Sequence, residues 1–377
     1  MNQCRRICYI SGTRADYGLM QACLQQIDAC PDLELGIIAT GMHLSPMFGM
    51  TVGDIERAGL PIVARIPVAD GKLDGAGMAG NIAVMMTGIV AALQVFKPDA
   101  VLLLGDRGEM IAAALAAIHL NIPIFHIHGG ERSGTVDEPV RHAISKLSDV
   151  HLVATEESAD RLVRMGERAD RVHVVGAPGL DGIVELASEP AESLLPRYGL
   201  DPQRELALLL YHPVLQEAEA GAGVVDVLIA ELSEQDTQVL AFRPNSDAGS
   251  APILAALDAA EKAGRVKLVT HAPRNDYLAL LRHARMLLGN SSSGIIEAAT
   301  FGTSVVNVGS RQMLRQRNSN VIDVLPFPAA IRVAITEARS QSRRTSNVFG
   351  DGQAAPRIVR YLRETPLDQI LGKVNVY

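Results

Sequence analysis

The stretch between residues 100 and 142 restricts the possible fold more than any other part of the sequence. Two short apolar runs, Ala100–Leu104 and residues 122–127, are bounded by polar residues or glycine, as buried parallel strands are. The Ala-rich segment between them, residues 109–120, has the composition of a helix. Together these three segments predict a β-α-β unit, in which both strands lie parallel in one sheet.

Ionisable residues follow both predicted strands. They are Asp106, Arg107 and Glu109 after the first strand, and His126, His128, Glu131 and Asp137 at the end of the second and beyond it. Any one of them alone is explained equally well as a helix cap or an ion-pair partner. Open α/β sheets, however, bind ligands at the carboxyl ends of their strands. The group as a whole therefore predicts a functional site at this edge.

Strand-like and helix-like segments alternate along the rest of the chain, which predicts parallel, doubly wound sheets with right-handed crossovers. A length of 377 residues exceeds one typical core, so we expect two domains. The Gly- and Pro-containing residues 176–179 give the best boundary. The predicted architecture is α/β, with two Rossmann-like domains facing a cleft. Residues 1–178 form the first, with the acid/base residues, and residues 179–377 form the second, whose terminal helix (353–364) is a candidate to pack back on the first.

Composition limits the class of partner. A formal net charge of −7 argues against a nucleic-acid surface, and 4% aromatic residues offer few platforms for stacking bases. No apolar run approaches the roughly 18 uninterrupted residues of a membrane span, so we expect no membrane partner. All four cysteines lie within the first 30 residues without zinc spacing, as expected for thiols in a reducing cytoplasm. His126 and His128 share the i, i+2 spacing of one strand face, but no third ligand is evident, so no metal site is predicted.

Two turns are candidates for holding phosphate. Residues 289–297, GNSSSGIIE, run from a predicted strand through a Ser/Gly turn into a helix, where backbone N–H groups and hydroxyls can bind an anion. A simple helix cap is the alternative, although a cap needs only one serine. The turn that contains Arg14 follows the first predicted strand in the same way, and a solvated arginine is its alternative reading. Neither turn is a G-x-G-x-x-G motif or a P-loop, so NAD binding and ATP hydrolysis are not indicated.

One further residue stands at a strand end. His212, directly before Pro213, could pair with a phosphate or move a proton, and a structural histidine at a turn explains it equally well.

An ordered set of motifs now resembles a known family. The motifs are SGTRADYGL, ATGMHLS, LLGDRGE, HIHGGE followed by SGTVDE, then HPV, GNSSSGIIE and NVGSRQ. They resemble the hydrolysing UDP-N-acetylglucosamine 2-epimerases of the sialic-acid and legionaminic-acid pathways, from about the first strand to the terminal helix. The resemblance implies a glycosyltransferase-B-like fold. It also implies conversion of UDP-GlcNAc to UDP and free N-acetylmannosamine for nonulosonic (sialic-type) acid synthesis, without a metal or cofactor, by a homodimer or homotetramer.

The resemblance also implies roles for individual residues. Asp106 and Asp137 fall on acid/base positions, Arg141 on a site arginine, and His212 on the histidine near the diphosphate. The positions that the resemblance assigns to nucleotide binding are Arg14, Ser291, Ser292, Gly294 and Glu297, with Asn245 and Arg311 as further candidates.

The sequence departs from the family pattern at one position. Many relatives carry HIEGGE, with a functional glutamate where this chain has His128. Either Glu131 or His128 takes over that role, or the substrate differs. Because HIHGGE resembles relatives proposed to act on diacetamido or GDP-linked sugars, a UDP-2,4-diacetamido sugar and GDP-GlcNAc are alternative substrates.

The expected chemistry suits an acid-rich site. A base removes the proton at C2 of the sugar while the diphosphate leaves C1, and water then adds to the resulting glycal with protonation on the opposite face of C2. A GT-B glycosyltransferase and a non-catalytic nucleotide-sugar-binding regulator are the alternatives. The cluster of acids disfavours the first alternative, and the presence of Asp106, Asp137 and His212 disfavours the second.

Overall fold

The computed structural model describes residues 4–69, 74–133, 137–214, 221–233, 237–244 and 249–376. The chain divides into two compact units. Unit 1 takes its described residues from 4–131, 137–181 and 349–376, and unit 2 takes its described residues from 132–133 and 182–348. The boundary predicted after residue 178 lies three residues before the break after Asp181, and the chain returns to unit 1 at Phe349.

Unit 1 is built on a seven-stranded parallel sheet in the order β3-β2-β1-β4-β5-β6-β7. Its strands are β1 (Arg5–Ser11), β2 (Leu33–Thr40), β3 (Ile62–Ile66), β4 (Ala100–Leu104), β5 (Ile124–Ile127), β6 (Val150–Val153) and β7 (Val172–Val174). Its α-helices are α1 (Arg14–Asp28), α2 (Val52–Arg57), α3 (Gly75–Phe96), α4 (Gly108–His119), α5 (Asp137–Leu147), α6 (Glu156–Arg164) and α15 (Ala354–Glu364). Helix α15 packs against α1, where Cys23 and Ile358 share one apolar core.

Unit 2 is built on a six-stranded parallel sheet in the order β10-β9-β8-β11-β12-β13. Its strands are β8 (Leu206–Leu210), β9 (Gln238–Phe242), β10 (Lys267–Val269), β11 (Met286–Gly289), β12 (Ser304–Val308) and β13 (Val321–Val324). Its α-helices are α7 (Ile183–Leu186), α8 (Ala191–Leu194), α9 (Gly221–Ser233), α10 (Ser250–Lys262), α11 (Arg274–His283), α12 (Ser292–Ile296), α13 (Ala298–Phe301) and α14 (Pro328–Ser340). Two parallel, doubly wound α/β domains are thus confirmed.

The order of each sheet explains where the predicted site residues lie. In unit 1 the strand order reverses between β1 and β4, and in unit 2 it reverses between β8 and β11. Doubly wound sheets bind ligands at such a reversal, beyond the carboxyl ends of the strands. Arg14 and Asp106 follow the two strands that flank the reversal in unit 1, and His212 and Ser291 follow the corresponding two strands in unit 2.

Helix α3 is unusually apolar for a helix at a protein surface. Its 22 residues include no Asp, Glu, Lys or Arg, and among the described helices it alone is long and apolar enough to span a membrane by length and composition. Met85, Ile89 and Leu93 are buried in the core beside α4, whereas Val84 and Val95 are exposed. The absence of a membrane partner and a cytoplasmic location stay predictions.

Candidate active site

The turn after β1 is held by a buried carboxylate. Asp16 accepts hydrogen bonds from the backbone N–H groups of Gly12 (3.0 Å) and Thr13 (2.6 Å) and from the hydroxyls of Ser11 and Thr13. Thr13 caps α1 in return, because its hydroxyl accepts from the Asp16 N–H at 3.2 Å. This reciprocal capping box satisfies donors that a helix start leaves open. It fixes the path of the chain directly before the half-buried Arg14.

Glycine at position 12 is required by its neighbour. A Cβ atom there would overlap the carboxylate of Glu109, which lies in the first turn of α4 with its side chain only 5% exposed. Arg107 Nε lies 3.4 Å from the Glu109 carboxylate. The turns after β1 and β4 are therefore in direct contact, as neighbouring strands of one sheet allow.

Asp106 and Arg141 form an ion pair at the end of β4. Arg141 lies on α5, is 1% exposed, and also donates from NH1 to the backbone carbonyl of Glu131 at 3.0 Å. The Asp106 side chain is 18% exposed, so the carboxylate is the member of the pair that solvent and a ligand can reach. A buried guanidinium without such partners would carry a large desolvation cost. The ion pair therefore holds the Asp106 carboxylate in a fixed position at the end of β4.

A second ionisable pair follows β5. His128 Nδ1 contacts the Glu131 carboxylate, and both side chains are at least nine-tenths buried. Strand β5 ends at Ile127, and His128 adopts a left-handed backbone conformation with φ of 62°. Non-glycine residues adopt this region rarely, and it is a feature of functional turns. His128 therefore leaves the strand that carries His126, and the two histidines do not share a strand face.

His126 has a structural position between these turns. Its Nε2 donates to the Gly105 carbonyl at 2.7 Å, and its Nδ1 lies 3.1 Å from the Ser145 hydroxyl. Complete burial lowers the pKa of His126 to about 3, so the ring is neutral at physiological pH. The neutral His126 ring therefore links β5, on which it lies, to the end of β4 and to α5 through its two nitrogens.

Asp137 begins helix α5, as the sequence predicts. It is partly buried and lies one helical turn before Arg141, so both side chains project from the same face. Glu138 beside it pairs with His142 at 3.8 Å. Unit 1 thus brings Asp106, His128, Glu131, Asp137 and Arg141 to the ends of two adjacent strands.

The turn after β11 in unit 2 depends on Gly289 and Asn290. Gly289 has φ of 131°, and a Cβ atom there would overlap the Leu210 carbonyl. The buried Asn290 side chain accepts from the His212 N–H at 2.7 Å and donates to the His212 carbonyl at 2.9 Å. The backbone of His212 is therefore held at the strand end by two hydrogen bonds to the Asn290 side chain.

The serines of this turn lie at the start of α12. Ser291 is the N-cap, and its hydroxyl accepts from the Ser293 N–H at 3.4 Å. The Ser293 hydroxyl bonds to that of Tyr277, whose ring packs edge-on against Phe242. Gly294 lies flat against Val305, where a Cβ atom would be only 2.9 Å away. One serine therefore caps the helix, and Ser292, partly exposed, is the next residue of the turn.

The other predicted nucleotide-binding residues have mixed outcomes. Glu297 is 2% exposed and forms an ion pair with Arg274, so contact with a ribose stays a prediction. Arg311 donates to the Asn290 carbonyl at 3.0 Å, which places it beside the serine turn. Asn245 lies outside the described residues.

A known protein family matches most of the chain. The family described as UDP-N-acetylglucosamine 2-epimerase matches residues 25–363 of the chain. The chain belongs to the UDP-N-acetylglucosamine 2-epimerase family. The resemblance predicted from the motifs is thereby confirmed, and the protein is an enzyme of this family.

Two relatives are similar over most of their length. The chain is 45% identical over 375 residues to the UDP-N,N'-diacetylbacillosamine 2-epimerase (hydrolyzing) of Legionella pneumophila, covering 99% of this chain and 100% of that protein. It is 33% identical over 323 residues to the GDP/UDP-N,N'-diacetylbacillosamine 2-epimerase (hydrolyzing) of Campylobacter jejuni, covering 85% of this chain and 84% of that protein.

A solved structure of a relative supports the same fold. The UDP-GlcNAc 2-epimerase of Neisseria meningitidis, crystallised with UDP-GlcNAc, matches with a TM-score of 0.81 at 20% sequence identity. The match covers 95% of this chain and 99% of that chain. Identity at this level shows the fold alone.

Several residues that shape this epimerase site were not among the predicted site residues. They are Asp16, Ser145, Arg274 and Tyr277, together with Glu109, which was noted only as part of the acidic group. A capping-box pattern, Thr13 followed by Asp16, was readable in the sequence. The other contacts join residues that are distant in the chain, and no spacing rule indicates them.

Proposed function

We propose that the protein is a hydrolysing 2-epimerase that converts a nucleotide-linked 2-acetamido sugar to the free C2 epimer and the nucleoside diphosphate. Two contacts between ionisable side chains at adjacent strand ends of unit 1 carry this proposal. They join Asp106 to Arg141 and His128 to Glu131. A reaction that moves protons at a sugar carbon needs acid and base groups that are fixed in place and reachable. The free sugar would serve nonulosonic (sialic-type) acid synthesis.

The first step is an elimination. A carboxylate removes the proton from C2, the C2–H electrons form the C1–C2 double bond, and the C1–O bond breaks with its electrons going to the departing nucleotide. Asp106 and Asp137 are the groups we assign to proton transfer, because both follow strand ends at one edge and Asp106 remains accessible. Arg141 holds the Asp106 carboxylate in place through their ion pair.

The second step is hydration of the glycal. Water adds its oxygen to C1 and gives one proton to a carboxylate of the site, and a protonated acid delivers a hydrogen to C2 from the face opposite to the one that lost it. We assign this step to His128 with Glu131, because an imidazole can act as a general acid and the pair follows β5 at the same sheet edge as Asp106. This pair takes the place of the glutamate that many relatives carry at position 128.

We assign the nucleotide to unit 2. The serine turn offers hydroxyls and the backbone N–H groups at the start of α12, and His212 and Arg311 lie beside it through their bonds to Asn290. Such donors suit a diphosphate. Arg14 in unit 1 remains a candidate phosphate contact.

The substrate we favour is a UDP-2,4-diacetamido sugar, ahead of UDP-GlcNAc and GDP-GlcNAc. Support comes from the Legionella relative, which is 45% identical over its full length. His128 supports the same choice, because the HIHGGE motif departs from the HIEGGE form at a buried position of the site.

The reaction is tested by incubating the purified protein with each of the three nucleotide sugars in D₂O and following products by NMR. We expect free 2-epimer carrying deuterium at C2, together with UDP or GDP. A nucleotide-linked epimer instead of free sugar would indicate a non-hydrolysing epimerase. A free product without deuterium at C2 would rule out the elimination mechanism, and binding without turnover of any of the three would rule out the proposed enzyme.

The role of His128 is tested by His128→Glu, which restores the residue many relatives carry. If the imidazole selects the substrate, the ratio of kcat/KM between the diacetamido sugar and UDP-GlcNAc should shift toward UDP-GlcNAc. His119→Glu is a matched control at an exposed position at the end of α4. An unchanged ratio together with a shifted pH optimum would assign His128 to proton transfer rather than to selection.

We also propose that the protein assembles as a homodimer or homotetramer through helix α3. The exposed residues of α3 carry no charge, while Asp74 at its start and Lys97 at its end would meet opposite charges in an antiparallel pair of copies. Light scattering should give two or four times the 40.2 kDa chain mass. Val84→Glu should reduce that mass, and a monomeric wild type would contradict the proposal.

A further inference from the structure

The last residues of the chain form a strap across unit 1, on the side opposite the candidate site. We define the C-terminal strap as residues 371–376. Lys373 Nζ lies 2.6 Å from the Glu167 carboxylate, and the Val376 N–H donates to the Gly166 carbonyl at 2.9 Å. Asn375 accepts from Lys146, which itself contacts Glu167 at 2.6 Å. The strap is therefore fastened to α5 and to the loop after α6 by polar contacts.

Glu167 is the centre of this arrangement. Its side chain is 2% exposed and is bonded by Lys146, Lys373 and, at 2.8 Å, His151 Nε2. Burial alone would raise the pKa of Glu167, but the three hydrogen bonds outweigh it and lower the pKa to about 2. Glu167 thus stays ionised and keeps a cation beside the end of α5 at any physiological pH.

Lys373 also closes the end of helix α5. Its ammonium donates to the backbone carbonyls of Ser145 at 2.9 Å and Ser148 at 2.6 Å. The last carbonyls of a helix have no partner within the helix, and a cation there is favourable for the helix dipole. A cavity of about 440 Å³ lies between the strap and the ends of α4 and α5. The strap therefore contacts α5 through this ammonium and through the hydrogen bond of Asn375 with Lys146.

Hydrogen bonds lead from Ser145 to the candidate site. The Ser145 hydroxyl lies 3.1 Å from the Arg141 carbonyl and 3.1 Å from His126 Nδ1. His126 Nε2 in turn donates to the Gly105 carbonyl, directly before Asp106. Ser145 thus contacts the segment of Arg141 directly and the segment of Asp106 through His126. A displacement of the end of α5 would change the relative position of the two ions.

We infer that Lys373 is a positioning residue for the epimerase reaction: it caps α5 and thereby sets the geometry of Arg141 against Asp106. The inference rests on the proposed function, because Asp106 is assigned there to proton transfer. Lys373 touches neither member of the pair, so its contribution passes through α5. The residue is new to the site, since none of the sequence motifs includes it.

The experiment compares Lys373→Met, which keeps the side-chain length without the charge, with Lys373→Arg, which retains a cation. Rates are measured with the nucleotide sugar that the wild type turns over. Lys373→Met should lower kcat between about 3-fold and 30-fold, the range that indirect coupling through a helix gives. KM should stay within about twofold, because substrate binding groups are untouched. Lys373→Arg should recover most of the rate. Lys262→Met, at the exposed end of α10, is the matched control and should leave kcat unchanged.

A second variant keeps the test decisive if Lys373→Met folds poorly. Ser145→Ala removes the hydroxyl that contacts His126 and Arg141 but leaves the backbone carbonyl that Lys373 bonds. It should lower kcat within the same range, and the double variant should lose less than the product of the two single losses, because both act along one route. A Lys373→Met protein that melts earlier yet has wild-type kcat would overturn the inference, and so would a wild-type rate in Ser145→Ala. Neither result would touch the proposed function, which fails only if the wild type turns over no nucleotide sugar.

Discussion

The two units share one type of sheet but differ in the chemistry at their strand ends. In unit 1 the groups beyond β4 and β5 are ionisable and are paired with one another, the accessible Asp106 with the buried Arg141 and the buried His128 with the buried Glu131. In unit 2 the described residues beyond β8 and β11 are mainly amide and hydroxyl groups, such as Asn290 and Ser291, and His212 is held through its backbone. Ionisable side chains thus gather in one unit and amide and hydroxyl dipoles in the other, and the proposed function assigns proton transfer to the first and nucleotide binding to the second.

The largest expected effect tests the proton-transfer half of this comparison. Asp106→Asn and Asp137→Asn should each lower kcat by about 10²- to 10⁴-fold, because a positioned acid or base contributes a factor of that size. UDP affinity, measured by calorimetry, should change little, since we assign UDP to unit 2. Asp170→Asn, which breaks an exposed pair with Arg168, is the control. Full activity in either variant would remove that residue from the catalytic set.

The next effect tests the binding half. Ser292→Ala should weaken UDP binding by about 1.5–3 kcal/mol, the usual contribution of a hydrogen bond to a charged group. The rate at saturating substrate should fall much less than in the aspartate variants. Ser340→Ala, at the exposed end of α14, removes a hydroxyl that bonds only within its own helix and serves as the reference. Equal UDP affinity in Ser292→Ala and Ser340→Ala would mean that the turn caps a helix and does no more.

The smallest effect concerns the stability of unit 1 in acid. Burial lowers the pKa of His126 from its usual 6.5 to about 3, so between these values the unfolded chain binds a proton that the folded chain does not. The free energy of unfolding should therefore fall as pH drops below 6.5, by about 2 kcal/mol at pH 5 for this residue. Urea unfolding followed by circular dichroism at pH 7.5 and pH 5 measures the loss.

The comparison variant for this prediction is His126→Gln. The variant should be less stable than the wild type at pH 7.5, yet its further loss on acidification should be smaller by about 2 kcal/mol. A pH dependence identical in both proteins would show that His126 does not titrate during unfolding. Burial also lowers the pKa of His151 and His43, so part of the acid sensitivity should persist in the variant.

The sequence predicted the sheets well because buried parallel strands leave continuous apolar runs. Strand β4, Ala100–Leu104, has the predicted bounds, and the second predicted run, residues 122–127, contains β5. Strand β13 was missed because its residues VIDV include an aspartate and it lies at a sheet edge, partly exposed.

The site was predictable in its position but less so in its contacts. Asp106 and Ser291 follow strands, so the topology alone placed them beside the reversal of each sheet. The ion pair of Glu297 with Arg274 was not foreseen, because the two residues are far apart in the chain and no motif joins them. The left-handed backbone at His128 was equally hidden, since non-glycine residues adopt that conformation only rarely. Whether each predicted residue contacts substrate stays a prediction.

Unit 1 is discontinuous in the chain, and this has a consequence for its synthesis on the ribosome. Strand β1 is translated first but lies in the interior of the sheet, and the apolar face of α1 around Cys23 is completed by α15, more than 300 residues later. Unit 2 is therefore translated in full while unit 1 still lacks α15, the helix that covers α1 in its core. Domains usually fold as they emerge from the ribosome, so unit 2 can fold first. The nascent unit 1 should then expose the Cys23 thiol to alkylation until α15 leaves the exit tunnel.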